Sequence, residues 1–204
     1  MNPSTPPQCV AFTGVRCIAS GDLLQVALKA KKLIDKDDDA TVLLFDSLTS
    51  ERIDIDFHGT PAQVVARLSS AGKIAAPMTE PLAETPRGPG RPRLGVVARE
   101  VTLLPRHWDW LNLQPGGASV ALRKLVEEAR RVNGSKDRVR RSQEATYRFM
   151  SPVAGHLAHF EEATRALFAG DAVRFQTLIA DWPADVREHA GRLAASAFKP
   201  APAV

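Results

Sequence analysis

The chain has 204 residues, of which 44% are hydrophobic and 25% charged, enough for one sizeable core or two small ones. The formal charge of +4 conceals a gradient: 8 basic against 11 acidic residues over 1–86, 14 against 6 over 87–148, and 5 against 6 over 149–204. The opening residues "MNPSTPPQ" have no basic start followed by an apolar run, and no apolar stretch approaches the roughly 20 residues that span a bilayer, so neither a leader nor a membrane is expected and the location is read as cytoplasmic.

Residues 9–70 read as a small α+β domain of pattern ββαββα. "CVAFTGVRCIAS" carries strand-type residues on both sides of Thr13-Gly14, a hairpin turn. Cys9 and Cys17 flank it and are expected to be two small hydrophobes in a reducing compartment. Asp22 caps a helix, with Gln25 in capping-box position; Leu23, Val26, Ala30, Leu33 and Ile34 form its inner face, while Lys29, Lys31, Lys32 and Lys36 project outward. "TVLLF" (41–45) is a short buried strand. "RIDIDF" alternates, with Ile53, Ile55 and Phe57 inward, which predicts a half-exposed antiparallel strand. "TPAQ" (60–63) starts a second helix, with Thr60 as cap and Gln63 reaching back; Val64, Val65 and Leu68 supply its buried side.

Residues 71–95 are proline-rich with few large apolar side chains and read as a basic linker. Residues 96–132 read as strand, helix, helix. The chain from 137 to 198 is helical: Val153, Leu157, Phe160, Thr164 and Leu167 keep one stripe that Gly170 ends, Asp171 opens the next helix, and "DWPAD" opens the last, through Val186, Ala190 and Leu193. Short helices with short loops imply an antiparallel cluster.

Excess cations between two acidic segments are the electrostatic footprint of a polyanion binder; a salt-bridged solvated surface is the bland alternative. Within the linker, "RGPGRPR" (87–93) resembles an AT-hook, a minor-groove peptide. Gly90-Arg91-Pro92 matches its core, Pro89 stands in place of its first arginine, and Arg87 and Arg93 flank it. A non-specific phosphate contact or a plain charged tether fits the same text.

"REVTLLPRHWDWL", the glycine break "QPGGAS" and "VALRKLVEEARR" together resemble the ribbon–helix–helix family of bacterial DNA-binding proteins. That resemblance implies a strand at 99–104 that pairs with its copy in a second subunit and lies in the major groove. It would present Arg99 or Thr102 according to register. It also implies that Gly116, Gly117 and a capping Ser119 admit a phosphate to the second helix, whose Leu122, Leu125, Val126 and Ala129 are buried. The alternative is a strand that joins the first domain's own sheet. "RRVNGSKDRVRRSQ" (130–143), broken by Asn133-Gly134 between two helices, offers Arg130, Arg131, Lys136, Arg138, Arg140 and Arg141 to phosphate, or else forms a solvated face. Trp108, three residues before Leu111, is expected in the core, and Trp110 at a subunit contact.

The acids at 35–46 shadow a calcium loop, but Ala40 occupies the position that requires glycine, so a helix-ending turn is expected. His156 and His159 lack a third ligand nearby. No nucleophile–base–acid set, phosphate loop or paired-cysteine signature occurs, so no cofactor, metal or catalytic residue is assigned. Over nearly its full length the chain also resembles an uncharacterised bacterial family known as a domain of unknown function. "GRPRLGVVAREVTLLPRHWDWL", "GGASVALRKLVEEAR" and "EATYRFMSPVAG" carry the likeness, which implies no activity. The expectation is a non-enzymatic, homodimeric protein that binds double-stranded DNA and regulates transcription. The alternative is a protein-interaction or scaffolding module in which the linker is only a tether.

Overall fold

The computed structural model describes residues 8–37, 40–74 and 99–198. The fold is α+β, in the element order β1 (Gln8–Thr13), β2 (Arg16–Asp22), α1 (Leu23–Ile34), β3 (Val42–Asp46), α2 (Pro61–Ile74), α3 (Pro105–Asn112), α4 (Gly117–Ala154), α5 (Phe160–Ala169), α6 (Ala172–Leu178) and α7 (Ala184–Ala194). Two compact units can be distinguished: Met1–Lys73 with Ser135–Val204, and Ile74–Gly134.

In the first unit the three strands form an antiparallel sheet of order β2-β1-β3. The hairpin closes over Gly14-Val15, with Gly14 at φ +52°, the positive angle that a two-residue hairpin demands of its first central residue. A bulge opposite Ala11/Phe12 leaves Ile18 unpaired. Alternation along β1 then feeds two cores. Cys9 and Ala11 face a small one with Val26 and Ala30 of α1 and Leu44 of β3. Val10 and Phe12 face a larger one with Phe45, Phe149, Met150 and Val153, and with Leu167, Phe175, Trp182 and Val186 from α5 to α7. Both cysteines are free thiols. Burial beside Asp22 and Asp46 pushes Cys9 up to about 11, so it stays protonated near neutrality.

Local chemistry accounts for the element ends. The Asp22 carboxylate accepts from the N–H groups of Leu24 and Gln25, capping α1. Thr60 and Gln63 exchange the two bonds of a capping box at α2, 2.8 and 3.4 Å. Gly170 closes α5 at φ +73°, and Asp171 caps α6 through Arg174 N–H.

Several expectations are overturned. Residues 52–57 keep their alternating burial, with Ile53, Ile55 and Phe57 packed on the small core, yet they pair with β3 only at Phe45–Arg52. The carbonyls of Asp56 and His58 accept from the Arg67 guanidinium, which replaces a ladder partner. Lys31, expected outside, lays its stem on the core and pairs its ammonium with Asp35. Asn133-Gly134 does not interrupt α4: Asn133 donates to the Ala129 carbonyl, and one glycine costs a 38-residue helix only about 1 kcal/mol. The stripe running from Val153 to Leu167 is split instead at 155–159, where His159 takes a left-handed φ of +62° ahead of α5.

Candidate nucleic-acid interface

Arg87, Arg91 and Arg93, the AT-hook-like strip, lie outside the described residues. Residues 99–104 form neither helix nor ladder among the described residues, and Arg99 and Thr102 are exposed there. With no strand at 99–104 and a second helix that runs far past 132, the likeness to ribbon–helix–helix proteins reduces to two helices in the expected order. Gly116 and Gly117 do form the turn between them, at φ +88° and +73°, and a Cβ on Gly116 would meet Val120 at 3.1 Å. The Gly117 N–H is spent on the Gln114 carbonyl. Ser119 is not the cap: it lies inside α4, where its carbonyl accepts from Arg123 Nε.

The expected burial of this segment is also corrected. Leu111 and Ala121 are buried where α3 and the start of α4 belong to one unit, but Leu125, Val126 and Ala129 face solvent and Trp108 is 36% exposed. Eight large hydrophobic residues between 101 and 132 are exposed, against four in the rest of the described chain. Among the described residues nothing covers these side chains.

Along α4 the cations are all exposed, as expected of a contact surface, but they differ in their partners. Arg130 pairs with Glu127 at 3.1 Å and Arg131 with Glu128 at 2.7 Å, both one helical turn apart. The Arg131 bond holds the Glu128 carboxyl below its usual range. Arg140 reaches Asp137 at 3.2 Å and Glu144 at 3.9 Å. Arg141 Nε donates to the Asp137 carbonyl oxygen, 3.1 Å away. Lys136 and Arg138 have no ion-pair partner among the described residues. Half of the expected set is therefore engaged within the helix by exposed pairs worth less than about 1 kcal/mol each, weak enough to yield to a phosphate.

The chain belongs to DUF2239. The model of this family, described as an uncharacterised protein conserved in bacteria, matches residues 8–194. No curated protein and no solved structure matches the chain. The DUF2239 match spans both units and the basic segment of α4.

Elsewhere the acids of the calcium-like text have other work. The Asp46 carboxylate accepts from Leu48 N–H, Thr49 N–H and the Thr49 hydroxyl. Burial pushes it up, but those bonds prevail and hold it below its ordinary value. Among the described residues no three His, Cys, Asp or Glu side chains gather as metal ligands, and no helix is long and apolar enough to cross a membrane. Sequence reading missed Arg148, His189 and Arg192, which with Arg138 and Arg141 line a cavity in the first unit. His189 lies three residues after Val186 and beside Ala190, in phase with the buried stripe of α7, and that phase is the signal that places it inside.

Proposed function

We propose that this protein binds double-stranded DNA as a homodimer and acts in transcriptional control rather than catalysis. The observation that carries the reading is the run of eight exposed lysines and arginines against three acids between 123 and 141 of one helix. At a rise of about 1.5 Å per residue they occupy some 27 Å of helix, long enough to follow several phosphates. Arg123, Lys124, Lys136, Arg138 and Arg141 would make first contact, because no acidic side chain among the described residues is bonded to them. Arg130, Arg131 and Arg140 would follow by exchanging Glu127, Glu128 and Asp137 for phosphate. Arg87, Arg91 and Arg93 would add a second contact, and Arg99 and Thr102 would approach the groove. Two copies would join through the uncovered apolar side chains of the second unit, such as Leu125 and Val132. Gel retardation of a labelled duplex at low ionic strength tests the reading; an unshifted duplex counts against it.

The same apolar exposure favours a second reading, a module that seats a different protein on 101–132. Capture of a partner that survives nuclease treatment, from a chain that stays monomeric, would favour this one over the first.

A further inference from the structure

The first unit contains a concave site of which the DNA reading uses only Arg138 and Arg141, at its border. A cavity of about 1050 Å³ opens between the β1–β2 ladder, the 47–51 turn, α4 and α7. Its wall carries four arginines, Arg138, Arg141, Arg148 and Arg192, against two carboxylates, Glu51 and Glu144. One of those acids is partly committed elsewhere, since Glu144 lies 3.9 Å from Arg140.

Three of the arginines are held in place by the protein itself. Arg148 Nη1 donates to the Thr49 carbonyl oxygen at 2.5 Å, with Glu51 3.9 Å away. Arg192 Nη2 donates to His189 Nδ1 at 3.0 Å, and Arg141 Nε to the Asp137 carbonyl. A guanidinium has five N–H donors, so each retains several for a ligand while its orientation is already set. His189, 4% exposed, also lines the cavity. Because Arg192 can only donate, the imidazole proton sits on Nε2, and that buried N–H has no hydrogen-bond partner among the described residues. Hydroxyls of Ser20, Ser47 and Ser196 add donors around the rim, and Val10 and Leu193 add apolar wall.

We propose that this cavity binds a small organic phosphate of about nucleotide size, with Arg148 and Arg192 on the phosphate and the apolar wall against its organic part. Fixed guanidinium forks match phosphate oxygens, and the volume lies at the upper end of small-ligand sites. A duplex is too broad to enter a concavity floored by β1, so Arg148 and Arg192 lie apart from the duplex contact, and Arg138 and Arg141 border both. The proposal does not rest on the DNA reading.

Calorimetric titration of the full chain with ATP, AMP, inorganic pyrophosphate and adenosine tests it. Saturable binding by at least one phosphate compound and none by adenosine is expected. Arg148→Ala and Arg192→Ala should each weaken it about tenfold or more. Ser196→Asp, which adds a negative charge to the wall without removing an anchor, should do the same at an unchanged melting temperature. No saturable binding by any phosphate compound, equal binding by adenosine, or indifference to all three substitutions would each overturn the assignment. Failure to bind DNA, with ATP binding intact, would overturn only the function proposed above.

Discussion

The imidazole of His189 meets the ring of Phe149 edge to face, with centroids 4.4 Å apart, and Phe12 closes on the same imidazole at 5.6 Å. A histidine so enclosed is costly to charge. Burial, aided by the neighbouring Arg192, holds it down at about 4. The unfolded chain takes up that proton near pH 6.5, before the folded chain does. Stability is therefore undiminished above about pH 6.5 and falls as the pH drops from there toward about 4, by a few kcal/mol at most. Urea midpoints measured between pH 4 and 7 should show this slope, and His189→Phe should flatten it. An equal slope in the variant would place the titration elsewhere.

Asp185 ties the first turn of α7 to the sheet. Its Oδ2 accepts from the backbone N–H of Cys17 at 2.8 Å, on β2, an edge strand of the sheet. Asp185→Ala leaves that amide without its partner and removes a favourable acid from a helix start, a loss of about 1–3 kcal/mol. Thermal unfolding should register it as a lowered Tm; an unchanged Tm would mean that the bond is replaced by water at no cost.

These contacts show what the text made legible. Capping residues spoke plainly: Asp22, Thr60 with Gln63, and Gly170 with Asp171 each end or begin a helix where local chemistry requires. Alternation at 52–57 predicted which side chains turn inward, but not the missing ladder, because Arg67 satisfies the Asp56 carbonyl from eleven residues away. Asn133-Gly134 looked like a break because propensity is local, whereas a helix already nucleated propagates through one weak residue. The α4 arginines were visible as charge, but their partners were not. Arg148 and Arg192 line one cavity only through the tertiary fold, and nothing in their spacing announces it.

Leu125 and Val132, 48% and 60% exposed, are the residues through which two copies would meet. Changing both to glutamate should leave the monomer's stability within about 0.5 kcal/mol per site, since neither is packed. Sedimentation equilibrium should show a dimer for the parent chain and a monomer for the variant. A parent chain that is already monomeric would remove the dimer from the account.

Cations with and without acidic partners should behave differently. Lys136→Ala with Arg138→Ala removes two that have no ion pair among the described residues, and should lower the salt dependence of DNA binding by about 1.8 in the log–log slope. Arg130→Ala with Arg131→Ala releases Glu127 and Glu128 as well. It should weaken binding further at low salt, since two unpaired carboxylates would then face phosphate. Fluorescence anisotropy of a labelled duplex distinguishes the pairs.

The most direct measurement is the affinity of the full chain for that duplex across a salt series. Measurable binding in dilute buffer is expected, with a linear fall of log affinity with log salt and a slope magnitude of about 4 or more, as when five or so phosphates are neutralised. No binding in dilute buffer, or binding indifferent to salt, would contradict it.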